Sequence, residues 1–216
     1  MYPVPVTSAF TYPSPEGKDL EACRKHYLWF GSGGLVRKGL DLVLDAFAGM
    51  PEYELTIIGP IGEEKDFESA YHRELYQTKN IHSLGWLDTS SPEFLAATQR
   101  CLGMVYPAAG EGQSGGVAVC LHAGLIPIIS YESGISVRDF GVLLKSCSIE
   151  EIRNSVRSVS GFPVGKLRKM ALEAWEYARL NHTRERYAEE YRRVMIEILA
   201  AGQHPGIPSS DLGVAV

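Results

Sequence analysis

The chain has 216 residues, of which 45% are hydrophobic and 22% are charged, a composition typical of a folded globular protein. Its formal net charge is -5 and its lysines and arginines are scattered. We therefore expect no nucleic-acid-binding surface, which needs clustered positive charge. No apolar run approaches the about 20 residues of a membrane-spanning helix, and residues 1–5 lack the charged and apolar regions of a signal peptide.

The four cysteines show neither metal-binding nor dithiol spacing. None of Cys23, Cys101, Cys120 and Cys147 belongs to a CxxC pair, so neither a zinc site nor a redox dithiol is indicated. Well-separated cysteines without a signal peptide are typical of free thiols in a reducing compartment rather than of disulfides. We therefore expect the protein to be cytoplasmic.

The two ends of the chain differ in pattern from its middle. Residues 1–25 contain four prolines and no hydrophobic period, which predicts an extended linker or arm. Residues 26–200 carry the periodicity of one folded domain. Residues 201–216, with their prolines and serines, predict a disordered tail.

Strand-like and helix-like segments alternate from residue 26 onward. Short apolar runs predict strands at 27–30, 53–58, 81–86, 102–106, 126–130 and 142–144. Helical spacing of apolar residues predicts helices at 39–50, 63–77, 92–100 and 115–123, and then three more from residue 148. This order predicts an α/β fold: a doubly wound, mostly parallel Rossmann-like sheet with helices on both faces and extra C-terminal helices. Ligands of such sheets bind beyond the carboxyl ends of the strands.

A glycine-rich loop follows the first predicted strand. It contains Gly33 and Gly34, which let the backbone approach a phosphate, and then Arg37 and Lys38 at the start of a helix, where an anion is favoured. The loop matches neither GxGxxG followed by an acidic residue nor GxxxxGK[ST]. A tight turn with two solvated cations is the alternative interpretation.

A second glycine-rich loop, at 109–116, follows the fourth strand. Glu111 is placed where its carboxylate could accept hydrogen bonds from sugar hydroxyls, although an exposed loop acid would look the same. The amides of residues 114–117 should face the same cleft as Lys38. The candidate ligand contacts of this loop are Gly112, Gln113, Ser114 and Gly115. No metal-binding pattern is present, and we expect no metal and no cofactor.

Several stretches together resemble one known family. These are 37–41, 55–59, 80–86, 106–107, 111–112 and 123–130. In order and spacing they are similar to the C-terminal, donor-binding domain of retaining GT-B glycosyltransferases (glycosyl transferases group 1). The resemblance covers about 26–200, and it adds Gly59 and Trp86 to the candidate contacts.

The resemblance implies roles for particular residues. Lys38 matches a lysine that holds the donor diphosphate, whereas a partner arginine of the family falls on Ser32. Glu111 matches a glutamate that contacts the transferred sugar. A second glutamate, which holds the ribose, falls on Val119 or, with a shift of one residue, on Cys120. Neither side chain replaces a carboxylate as a hydrogen-bond acceptor.

The sequence therefore predicts the nucleotide-sugar-binding domain of a glycosyltransferase. Its substrate would be a nucleoside-diphosphate sugar, and Lys38 and Glu111 would act in catalysis. The resemblance implies an N-terminal acceptor-binding domain that this chain lacks, so we expect the isolated chain to bind weakly and to transfer nothing. Any peripheral membrane contact is expected through the full-length protein.

Two other functions are compatible with the residues. The departures at Ser32 and Val119 favour a degenerate, non-catalytic Rossmann module that acts through protein interaction. A sugar-nucleotide epimerase would share the architecture, but no acid–base pair supports it.

Overall fold

A computed structural model describes residues 4–202 of the chain. Its strands are β1 His26–Phe30, β2 Glu54–Ile58, β3 Ile81–Ser83, β4 Gly103–Tyr106, β5 Ile126–Ser130 and β6 Val142–Leu144. Its helices are α1 Leu20–Cys23, α2 Leu40–Ala48, α3 Lys65–Ala70, α4 His72–Tyr76, α5 Pro92–Arg100, α6 Gly115–His122, α7 Ile149–Ser160, α8 Val164–Asn181 and α9 Arg184–Gly202. Short 3-10 turns lie at Pro15–Gly17, Ile61–Glu63 and Tyr131–Ser133.

The strands form one parallel sheet in the order β3-β2-β1-β4-β5-β6. This is the doubly wound α/β sheet that the sequence predicts, and the fold class is confirmed. β4 and β5 are buried along their whole length, because helices cover both faces of a parallel sheet. The direction of winding reverses between β1 and β4, and ligands of open α/β sheets bind at such a switch point.

The predicted helix at 63–77 is divided in the structure. It is replaced by the turn Ile61–Glu63, α3 and α4, with Tyr71 between the helices at φ -106° and ψ 20°. That conformation interrupts the helical hydrogen-bond ladder, and Phe67 and Leu75 on either side of it are both buried. The third strand is also shorter than predicted, because Gly85 adopts a φ of +71°.

The N-terminal segment packs on the domain and is only partly extended. The turn Pro15–Gly17 and α1 interrupt it, and Tyr12 is buried, with its hydroxyl donating to the Thr89 carbonyl at 2.6 Å. The indole of Trp175 in α8 donates to the Tyr12 carbonyl at 3.1 Å. These long-range contacts explain why the proline-rich pattern alone did not predict the packing.

The C-terminal helix α9 reaches Gly202, so it includes the first two residues of the predicted tail. The rest of that tail lies outside the described residues. Within residues 4–202 no helix has the length and apolar character needed to cross a bilayer.

Candidate functional site

The loops after β1 and β4 meet at the switch point of the sheet. The amide of Ala109 donates to the Arg37 carbonyl at 2.8 Å, which ties the two loops together. Between them lies a cavity of about 340 Å³. Its lining comprises Thr7, Ala9, Phe30, Gly31, Ser32, Lys38, Trp86, Thr89, Tyr106, Glu111, Ser114, Gly115, Gly116 and Val119.

Lys38 is held at the base of this cavity by the start of α2. The side chain is only 7% exposed, and the Trp29 indole donates to the Lys38 carbonyl at 3.2 Å. The next residue, Gly39, has a φ of +70° and packs on the carbonyl of Pro107, where a Cβ atom would collide. Glycine at this position therefore lets the turn that carries Lys38 approach the second loop closely.

One carboxylate oxygen of Glu111 accepts three hydrogen bonds. Its Oε1 accepts from Lys38 Nζ at 2.5 Å, from Arg37 Nη1 at 3.2 Å and from the Tyr106 hydroxyl at 3.3 Å. Burial raises the pKa of Tyr106, so that hydroxyl stays protonated and can donate. Two cations and one carboxylate leave the cluster with a net positive charge, which suits an anionic ligand.

The N-terminus of α6 adds backbone donors to the same cavity. Ser114 is the N-cap, and its hydroxyl accepts from the Val117 amide at 3.3 Å. Among the described residues, none accepts a hydrogen bond from the amides of Gly115 and Gly116. Both glycines line the cavity, so these amides can bind a phosphate or another anion.

The structure distinguishes the two positions at which a second acid was expected. Val119 lines the cavity and is 8% exposed, whereas Cys120 is fully buried in the core. Burial also raises the pKa of the Cys120 thiol, so the thiol is neutral. The cavity wall is therefore apolar at the position where the resemblance expects a carboxylate. Ser32, where the resemblance expects an arginine, also lines the cavity.

Six residues of the predicted site lie outside the cavity lining, and three of them, Gly33, Gly34 and Gly59, lie in or beside the first loop. The amide of Gly34 donates to Glu64 Oε1 at 2.5 Å, and a Cβ atom on Gly33 would lie 3.5 Å from the same oxygen. A Cβ atom on Gly59 would lie 2.8 Å from the Gly31 carbonyl, so this glycine permits close packing of two loops. These positions shape the first loop rather than the ligand surface.

Two residues of the second loop also face elsewhere. The Gln113 side chain accepts from the Val6 amide at 2.6 Å and so holds the N-terminal segment. Gly112 lines a neighbouring cavity of about 640 Å³, whose wall also includes Glu111. Arg37 does not line the cavity of Lys38, but its guanidinium reaches Glu111 from the rim.

Sequence reasoning did not identify several residues of the cavity wall. Tyr106 could have been found, since it is an aromatic residue at the carboxyl end of a buried strand. The amide of Gly116, by contrast, was expected to face this cleft among those of residues 114–117, and Gly116 does line the cavity. Thr7 and Ala9 carried no signal, since their place in the wall depends on how the N-terminal segment docks.

Comparison by sequence finds no matching family model and no matching curated protein. Comparison of structures finds many similar chains. HepE from Anabaena, crystallised with UDP and glucose, superposes with a TM-score of 0.65 at 17% identity over 84% of this chain and 49% of its own. WaaG, a glycosyltransferase involved in lipopolysaccharide biosynthesis, gives 0.62 at 17% identity over 89% and 55%. Sucrose-phosphate synthase from Thermosynechococcus elongatus gives 0.71 at 17% identity over 93% and 52%.

These likenesses establish the fold. The chain spans about half the length of each of these proteins. The resemblance to one domain of GT-B glycosyltransferases is therefore confirmed at the level of the fold.

Proposed function

We propose that the chain is the nucleotide-sugar-binding domain of a GT-B glycosyltransferase that moves a sugar from a nucleoside diphosphate to an acceptor. The observation that carries the proposal is the convergence of Lys38 with the amides of Gly115 and Gly116 in one cavity at the switch point. Cationic and amide donors in a partly enclosed cavity match the chemistry of a diphosphate. HepE, with the same fold, binds UDP and glucose.

The Lys38–Glu111 ion pair supports a mechanism in which the bound diphosphate displaces a carboxylate from Lys38. A diphosphate entering the cavity would replace Glu111 as the partner of Lys38. Charge-assisted hydrogen bonds of this kind are worth about 1.5–3 kcal/mol. The released carboxylate would then accept hydrogen bonds from the hydroxyls of the sugar, and Lys38 would stabilise the negative charge of the departing diphosphate.

The aromatic wall supports binding of the nucleotide base. Trp86 lines the cavity and is 55% exposed, and its ring lies 6.0 Å from that of Phe30. An exposed indole offers a face on which a base can stack, worth about 1–3 kcal/mol. In this proposal the base stacks at Trp86 while the diphosphate lies at Lys38 and the start of α6.

The remaining features of the proposed enzyme rest on the resemblance to retaining GT-B glycosyltransferases. Transfer would proceed with retention of configuration and without a metal or a cofactor. It would require a second domain for the acceptor, so the chain alone would bind the nucleotide and transfer nothing. All four cysteines are free thiols, which supports a reducing, cytoplasmic location.

The proposal is tested by titrating UDP, GDP and ADP into the chain by calorimetry. We expect at least one of them to bind at millimolar concentration or below. Lys38→Ala should weaken that binding by roughly tenfold or more, because it removes a charge-assisted contact. Glu111→Gln should tighten binding of a nucleotide without a sugar, because the diphosphate no longer displaces a carboxylate from Lys38. It should also remove the extra affinity that the sugar contributes to binding of the corresponding nucleotide sugar.

An exposed lysine that does not line the cavity provides a matched control. Lys169, on α8, is a solvated lysine with a side chain 72% exposed, and Lys169→Ala should bind as the unaltered chain does. A chain that acted only through protein contacts would bind none of the three nucleotides, and that result would exclude the proposed function.

A further inference from the structure

A carboxylate outside the cavity organises the first loop. Glu64 lies directly after the turn Ile61–Glu63 and is half-buried. Its Oε1 accepts from the Gly34 amide at 2.5 Å, and both of its oxygens lie 3.2 Å from the Leu35 amide. Two consecutive backbone amides, 29 and 30 residues away in sequence, thus converge on one side chain.

These two amides begin the helical turn that carries Lys38. The amide of Lys38 donates to the Gly34 carbonyl, and the amide of Leu40 donates to the Leu35 carbonyl, each at 3.0 Å. The first amides of such a turn have no partner within it. Glu64 satisfies them from a distant part of the chain, as an N-cap side chain does locally.

The segment that Glu64 holds would otherwise be poorly constrained. Between the Gly31 amide, bonded to Ile58, and the turn lie Ser32, Gly33 and Gly34. Gly34 has a φ of +82°, and two adjacent glycines lose more conformational entropy on ordering than other residues do. Without its bonds to Glu64, this segment and the attached turn would sample more conformations.

We propose that Glu64 is a positioning residue of the nucleotide site: its carboxylate fixes the Gly34–Leu35 amides and thereby holds Ser32 and Lys38 in place around the diphosphate. This inference rests on the proposed function. Glu64 does not touch the ligand and acts only through the loop. The opposite effect, repulsion of the diphosphate by the Glu64 charge, predicts a different pattern among variants.

The test compares UDP binding by calorimetry in the unaltered chain, Glu64→Ala, Glu64→Gln and Glu63→Ala. Glu63 is an exposed neighbour, so Glu63→Ala is the matched control and should bind normally. Glu64→Ala should bind UDP roughly tenfold more weakly, on the scale of one lost charge-assisted hydrogen bond. Glu64→Gln keeps an acceptor oxygen, so it should bind UDP nearly as tightly as the unaltered chain does.

A second readout separates positioning from general destabilisation. Added formate can occupy the vacated amide pair in Glu64→Ala. It should therefore restore part of the UDP affinity of that variant and none in the unaltered chain, while the amide resonances of Gly34 and Leu35 move in the variant alone.

Three results would overturn the proposal. These are normal UDP binding by Glu64→Ala, tighter binding by both Glu64 variants, and a loss that neither glutamine nor formate recovers. Failure of the unaltered chain to bind UDP, GDP or ADP is a distinct result, which removes the proposed function and this inference together.

Discussion

Val119 is the residue at which the cavity departs most clearly from the expected chemistry. It lines the wall with an apolar side chain, so a ribose lying there would lose the acceptor that its hydroxyl groups need. A missing charge-assisted hydrogen bond costs about 1.5–3 kcal/mol. Under the proposed function, we therefore expect only modest nucleotide affinity, even with the diphosphate bound by Lys38 and the α6 amides.

Restoring an acid at this position should strengthen binding. We expect Val119→Glu to raise the affinity for UDP about tenfold, since each factor of ten corresponds to about 1.4 kcal/mol. Val119→Gln, an uncharged acceptor of similar size, should give a smaller gain. Calorimetry on both variants measures this, and weaker binding by Val119→Glu would show that the ribose does not lie against residue 119.

Gly116 gives a prediction about stability at the same site. A Cβ atom there would lie 2.8 Å from the Phe30 carbonyl, whereas a Cβ atom on Gly110 would meet nothing within 4 Å. Gly116→Ala should lower the free energy of unfolding by about 1–2 kcal/mol, because overpacking exceeds the gain in helix propensity. Gly110→Ala is the control and should be nearly neutral. Urea unfolding measures the free energy of unfolding of both variants. Equal values would contradict the close approach of α6 to β1.

At the scale of elements, two buried histidines join the N-terminal segment to α6 and α8. His122 Nε2 donates to the His182 carbonyl at 3.0 Å, and the same carbonyl accepts from the Ser8 amide at 3.1 Å. His182 Nδ1 donates to the Val6 carbonyl at 2.8 Å. The segment held in this way continues to Thr7 and Ala9 in the cavity wall, so the histidines support one side of the candidate site.

This junction should make stability depend on pH. Burial lowers the pKa of both histidines, and Arg179 lowers that of His122 further. Unfolded histidines titrate near about 6.5, so below that pH the unfolded chain binds more protons than the folded one. The stabilisation is therefore fully present above about pH 6.5 and is lost as the pH falls, by at most about 1.4 kcal/mol per pH unit for each histidine.

Urea unfolding at about pH 7.5 and at about pH 5, on either side of the usual histidine pKa, measures how stability depends on pH. The comparison is with His122→Gln, which keeps a side-chain donor but does not titrate. The variant should lose stability less steeply as the pH falls. Identical slopes for the variant and the unaltered chain would contradict the assignment.

The strand and loop pattern predicted the sheet, and with it the meeting of Lys38 and the amides that open α6, because the carboxyl ends of parallel strands share one edge. It did not predict the ion pair between Lys38 and Glu111. It did not predict the bonds from Glu64 to Gly34 or from Val6 to Gln113. Those contacts join segments that are far apart in sequence, and a polar side chain in a loop does not reveal its partner. The division of the predicted helix at Tyr71 is likewise a result of packing rather than of local pattern.

At the scale of the whole molecule, the chain provides one side of a proposed reaction site. It aligns with about half of each similar glycosyltransferase structure, and its cavity opens at the carboxyl ends of the strands. Under the proposed function, binding and transfer are separable, because the cavity would hold the nucleotide and a second domain would bring the acceptor.

In the proposed function, a nucleoside diphosphate binds between the loops after β1 and β4. The most direct measurement is a titration of the isotope-labelled chain with UDP, GDP and ADP, followed by amide and indole resonances. We expect shifts concentrated at Gly115, Gly116 and the Trp86 indole, and their loss in Lys38→Ala. Shifts concentrated away from this cavity, or no shifts with any of the three at millimolar concentration, would contradict it.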